Sequence, residues 1–232
     1  ENTNLTGGKL AAKYQYVSAE ELIAKMKTAF RNAKEPEILS ELETVGITES
    51  NLDDYLLEIA DLEQLSQKQI KEYGEQYAET DKFNLKRIEI DSLYTRHRNL
   101  AKIIFKGDRQ SNTTLGIDEG RKRAFAAWFQ QVSNFYAQIL ANPDFKTKAE
   151  TVNIKDPDIT AQQTALEQIT ALKASQKKEI GEAQKATDTR DEALDLLYPK
   201  YTQLIGFAKI LFQDDQTLEK LCIIVKREGD LL

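Results

Sequence analysis

His97 is the only histidine of the 232-residue sequence, and Cys222 is its only cysteine. That inventory bounds the chemistry before any fold is considered. A di-iron centre of the helical-bundle type wants two Glu-x-x-His motifs on facing helices, and one histidine cannot supply them. Zinc sites that draw on several histidines or cysteines fail on the same count. A lone thiol forms no internal disulfide. Any Ser-His-Asp or Cys-His arrangement would have to use His97. It stands between Arg96 and Arg98 at a helix-seam position, so a satisfied core or interface histidine is the expected role. Cys222 reads as a small buried apolar residue. Carboxylates are plentiful, but nothing in their spacing separates an acid/base pair from a solvated helix face. Tyr94 and Tyr201 remain as groups that could act inside a bundle. No catalytic residue, metal or cofactor is expected, and so no enzyme.

The basic residues divide into two kinds. Arg98, Lys102 and Lys106 step by four along one helix end, where cations complement the helix dipole. Arg121, Lys122 and Arg123 open the next helical stretch, where cations are unfavourable. Trp128 and Phe129 follow within two turns. These five residues form a candidate patch for an acidic partner or an anionic surface; pairing with neighbouring Asp118 and Glu119 is the plainer reading. Thr6-Gly7-Gly8-Lys9 lacks the spacing of a phosphate loop, while Asn4-Leu5-Thr6 and Asn112-Thr113-Thr114 fit a common glycosylation pattern.

What must position these groups is a repeat. Lys71-Glu72-Tyr73-Gly74-Glu75 answers Lys178-Glu179-Ile180-Gly181-Glu182, and Ala101 to Phe105 answers Ala208 to Phe212. The offset is constant, since 178 − 71, 201 − 94 and 208 − 101 are all 107. It extends back to Pro36 against Pro143. A period this long reads as a duplicated domain rather than a solenoid array. Seam positions in each copy, mostly apolar, step by three and four: Ile180, Ala183, Thr187, Arg190, Leu194, Leu197, Tyr201, Leu204, Ala208 and Leu211 in the second. This spacing marks a seam between packed helices. Gln69, Gln176, Thr80 and Thr187 also fall on the seam, where polar residues weaken packing but set register.

Two geometries fit residues 48–106 and 155–213: one helix each, roughly 90 Å long, or hairpins turning at Thr80-Asp81 and Thr187-Asp188. The unbroken period and the lack of turn residues favour single helices, with a kink expected at Pro199. Ser18 caps a first helix, and a short one runs from Pro36 towards Gly46. Gly107 breaks the long stretch, and 108–120 reads as a polar connection. A helix from Arg121 to Ala141 then opens the second copy, with 143–158 looser than its counterpart. Asp214-Asp215 caps a last short helix, after which Ile223 to Val225 pack back ahead of a polar tail.

The expected fold is therefore all-α. It is an internally duplicated antiparallel helical bundle, with two long coiled-coil-like helices, shorter helices at the ends and a pseudo-two-fold relation. Its parts are a flexible lead-in over 1–13 and repeat units over 14–117 and 118–232. Charged residues make up 30% of the chain and the net charge is −6, which argues against a general nucleic-acid binder. No apolar run approaches a membrane span. The sequence begins at Glu1, so a cleaved leader and a trimmed chain both stay open, with the cytoplasm favoured. The expected function is a non-enzymatic scaffold or interaction protein, monomeric, with a protein partner. The alternatives are a membrane-docking, toxin-like protein using the Arg121 stretch, and a carboxylate- or Tyr-based ligand binder or enzyme.

Overall fold

The computed structural model describes residues 17–223. The lead-in over 1–13, the Thr6–Lys9 and Asn4 patterns, and the polar tail beyond Val225 lie outside the described residues. Among those described, eight helices and no strand occur. They are α1 (Ala19–Asn32), α2 (Pro36–Glu43), α3 (Glu49–Ile104), α4 (Arg109–Thr114), α5 (Phe125–Ala141), α6 (Pro143–Glu150), α7 (Asp156–Leu211) and α8 (Asp215–Lys220). The chain is all-α.

Local chemistry sets these boundaries. Ser18 caps α1 by accepting from the Glu21 N–H at 3.1 Å. Thr48 and Asn51 cap each other's backbone at the start of α3. Four helix ends share one device, a left-handed residue followed by an isoleucine. Gly46, Gly116, Asn153 and Cys222 hold φ between 59° and 83°. The N–H groups of Ile47, Ile117, Ile154 and Ile223 then reach back to carbonyls of Leu42, Asn112, Ala149 and Leu218, the Schellman arrangement. All four isoleucines are buried. Only glycine adopts this φ without strain. Gly116→Ala should therefore cost about 1 kcal/mol, because a Cβ there meets nothing nearer than Asn134 at 3.8 Å. Cys222→Gly should gain a similar amount, about 0.5–1 kcal/mol. Urea unfolding of both variants checks the pair of opposite signs.

Residues 48–106 and 155–213 form single long helices, the favoured reading, because α3 and α7 pass unbroken through Thr80-Asp81 and Thr187-Asp188. Other expectations need correction. The stretch 108–120 is not simply a connection, since Asp108 caps α4 through Ser111. Residues 143–150 are as helical as their counterparts, and α6 sits 107 positions after α2 (143 − 36). The first helix of that copy begins at Phe125, not Arg121, leaving Arg121–Arg123 outside any helix before it. Pro199 lies inside α7, which continues to Leu211; its ring removes one backbone bond, and buried Leu197 and Leu204 on either side hold the helix in place. Ile180, placed on the seam by its spacing, is 44% exposed. Spacing fixes the direction a side chain points, whereas burial also needs a neighbour at that height.

The chain forms two compact units. One contains the described residues up to Glu72 and those from Glu182; the other is Tyr73–Gly181. Consequently α3 and α7 each contribute to both. In the first unit Lys200 meets Glu58 at 2.5 Å and Gln69 donates to Thr187 at 3.1 Å. Residue numbers rise along α3 as they fall along α7, so the pairing is antiparallel. In the second unit Gln176 donates to Thr80 at 3.3 Å, and the Lys173 ammonium lies 4.7 Å from the Phe83 ring centre. This pairing is antiparallel too. The first core joins Phe30, Leu52 and Ile59 to Leu194, Leu204 and Ala208. The second joins Phe83, Ile90 and Tyr94 to Trp128, Phe135 and Ile169.

Candidate functional site

Of the groups that sequence alone marks for chemistry, Tyr201 and Cys222 lie in the first unit, while His97, Tyr94, Arg98 and the basic run lie in the second. His97 is buried, and its Nδ1 lies 3.1 Å from the Tyr136 hydroxyl of α5. Burial lowers its pKa from the ordinary 6.5; Arg96 lowers it further and Asp158 opposes both. A neutral core imidazole results. Because the folded value lies below the unfolded one, the unfolded chain binds more protons between the two. This contribution to stability is intact above pH 6.5 and is lost as pH falls through the folded value. His97→Leu should remove that part of the acid sensitivity, measured as a flatter stability-versus-pH curve below neutrality.

The two tyrosines are unsuited to act as bases near neutrality. Burial raises the Tyr94 pKa, against the opposing charges of Arg98 and Arg121. Burial likewise pushes Tyr201 up to about 12. Arg98 is itself buried, and its Nη2 donates to the backbone carbonyls of Ile117 (3.2 Å) and Glu119. Two polar atoms here lack a well-formed hydrogen bond: Arg98 Nε, and the Tyr94 hydroxyl, which has the Arg98 side chain beside it. Such atoms are uncommon in folded proteins, and they mark this spot as polar at some cost in stability.

The five-residue patch does not form one surface. Trp128 is 1% exposed, and its indole N–H donates to Asp91 at 2.9 Å. The Arg87 guanidinium lies 5.0 Å from its ring centre. Arg121 pairs with the other oxygen of Asp91, and Lys122 pairs with Glu119 at 2.6 Å. Arg123 is exposed. Phe129 is half-buried and lines an open groove of about 440 Å³ between α5 and α7, beside Leu166 and Ala137. The expected neighbour Glu119 is thus one true partner of the basic run. Asp91 is the partner that local sequence reasoning missed, because it lies 30 residues before Arg121.

No family model, curated protein or solved structure matches this chain. The assignment of a role therefore rests on geometry alone. The remaining candidates are mostly occupied by the fold. Asn112 of the glycosylation pattern spends its amide on the Phe105 carbonyl, inside α4. A second groove, about 900 Å³, lies between α1 and α3, and its carboxylates Glu20 and Glu63 are not buried. Glu63 pairs there with Lys27 at 2.6 Å. Among the described residues no helix is long and apolar enough to cross a membrane.

What the site does instead is hold backbone. The segment between α4 and α5 has no helix or strand to fix its course, and its residues 118–124 are exposed, so side chains from the neighbouring helices hold it. Gln131 supplies two hydrogen bonds: its Nε2 donates to the Gly120 carbonyl at 3.0 Å, and its Oε1 accepts from the Lys122 N–H at 3.0 Å. Arg87 reaches the Arg123 carbonyl. In the first unit the residues 107 positions after Arg98 and His97 are Ile205 and Leu204, and α1, whose buried face matches that of α5 at a spacing of 106, places Leu22 and Phe30 where α5 has Trp128 and Tyr136. The polar cluster belongs to the unit that contains the connection.

Proposed function

We propose that this chain is a non-enzymatic helical interaction protein whose two halves arose by tandem duplication. The observation that carries the interaction reading is a set of three large apolar side chains left in solvent on one face, at positions where the other half carries polar residues. Tyr77, Leu85 and Ile88 of α3 are 62%, 67% and 62% exposed. At 3.6 residues per turn they fall within an arc of about 80°. Their counterparts 107 positions later are Gln184, Glu192 and Asp195, all exposed. The same surface positions thus tolerate polar residues, so folding alone does not require apolar ones here. Single exposed apolar residues are ordinary, whereas several on one face suit a partner.

The duplication is supported by the matching bounds of α2 with α6 and α3 with α7, and by the left-handed residues at matching helix ends. It is supported further by the Gln69–Thr187 and Thr80–Gln176 hydrogen bonds, which join the same two seam positions in each unit. A pseudo-two-fold, coiled-coil-like pairing of the long helices follows from that reading. The membrane-docking and ligand-binding alternatives draw no comparable support from the grooves or from Trp128.

The test is affinity capture with the native chain and with Tyr77→Gln, Leu85→Glu, Ile88→Asp together, each residue taking the identity of its counterpart. The variant should keep its helicity by circular dichroism and lose a reproducible bound protein. Equal capture by both chains would remove the basis for the proposal. Binding to anionic vesicles that salt abolishes would favour the membrane reading instead.

A further inference from the structure

Each hydrophobic core is shared between the two halves of the chain. The first packs residues 19–62 against 194–223, and the second packs 83–117 against 128–169. The bonds that cross between α3 and α7 likewise join one half to the other, as in Glu58–Lys200, Gln69–Thr187 and Thr80–Gln176. Ring contacts do the same: Phe30 meets Tyr201 at 6.2 Å and Tyr94 meets Phe135 at 5.4 Å. Two chains that exchanged halves would remake these contacts unchanged, since the surfaces are identical. The balance between the closed monomer and an exchanged dimer then lies in concentration and in the one segment joining the halves, residues 118–124.

That segment is gripped from both sides at its middle. Arg98, from the first half, donates to the Glu119 carbonyl. Gln131, from the second, donates to the carbonyl of the next residue, Gly120, and accepts from Lys122. Contacts nearer α5, such as Arg121 to Asp91, join the two halves and would be remade across chains like the rest. The grip on consecutive residues cannot be, because exchange places Arg98 and Gln131 of one chain in different bundles, while Glu119 and Gly120 stay joined by a peptide bond and cannot reach both. Where no connection has to be held, the residues 107 positions away from these two clamp residues are Ile205 and Ala24.

We infer that Arg98 and Gln131 clamp the connection so that the halves of one chain pair with each other, and that its release lets the chain pair with a second copy by exchanging halves. The clamp is an interaction switch whose partner is the protein itself.

The experiment uses full-length chains carrying Cys222→Ser and either Glu58→Cys or Lys200→Cys, refolded as an equal mixture and treated with a short bis-maleimide. Positions 58 and 200 meet only across the two halves, so a covalent pair of chains forms only after exchange. With the clamp intact the chains should stay monomeric and uncrosslinked. With Arg98→Ile and Gln131→Ala added, the dimer association constant should rise at least about tenfold, as loss of a charged hydrogen bond implies, and the covalent pair should appear. A monomeric double variant with native helicity and no interchain product would overturn the inference, as would equal product from both mixtures. Should the double variant fail to regain its helicity, deletion of Gly120–Lys122 decides: the shortened connection should force exchange, and a monomer would overturn it.

Discussion

Trp128→Ala is expected to lower stability by about 3–5 kcal/mol, the usual cost of emptying a large aromatic site in a core. The side chain is 1% exposed among Phe125, Arg87 and Asp91. Removing it leaves a cavity and frees one oxygen of a carboxylate that Arg121 holds only on the other side. Trp128→Phe should cost less, about 1–2 kcal/mol, because most of the volume is kept and the indole hydrogen bond is the main loss. The measurement is denaturant unfolding followed by helical circular dichroism, since the only tryptophan of the sequence is itself being removed. An exposed docking aromatic would behave oppositely, leaving stability unchanged. A cost below about 0.5 kcal/mol, the range of surface substitutions, would therefore return Trp128 to the surface patch.

Arg190→Ala should be the next most damaging change, at about 2–4 kcal/mol. Arg190 is 6% exposed within the seam of the first unit, bonded to Asp191 at 2.5 Å and to Gln69 at 2.6 Å. Breaking a buried pair from one side strands the other charge, which is why truncation costs more than the pair contributes. Asp191 keeps some access to water, its side chain being 22% exposed; this places the estimate below the fully buried limit. Arg190→Met with Asp191→Asn should recover most of the loss, because it leaves no stranded charge and fills a similar volume. The other half places a buried phenylalanine, Phe83, at this position, so the site accepts an apolar side chain. Comparable losses in the single and double variants would show that the ion pair matters for more than charge balance.

Local sequence placed the helices well wherever the deciding interaction is itself local. Ser18, Pro36, Thr48 and Asp214 start helices by bonding or shaping backbone within three residues. The unbroken three-four spacing correctly favoured single long helices over hairpins. The same reasoning misjudged Arg121–Arg123, because the basic run lies outside the helix and its charge is answered by Asp91 and Glu119. It also treated Trp128 as available. Helical spacing gives the face on which Trp128 stands but not whether α3 covers that face. His97 was read correctly as a core histidine, although its partner Tyr136, 39 residues on, was beyond the reach of any local pattern.

The seam shows the division most plainly. Composition and period determined an all-α chain, the long helices, and the seam positions of Gln69, Thr80, Gln176 and Thr187. Only the tertiary structure decided that Gln69 meets Thr187 and Thr80 meets Gln176. It alone decided that each core draws on both halves, and that Arg98 and Gln131 hold adjacent carbonyls of one short connection. The reason is the range of the forces involved. Caps and helical periods are settled within a few residues, whereas burial and antiparallel pairing join side chains that lie about 100 or more positions apart.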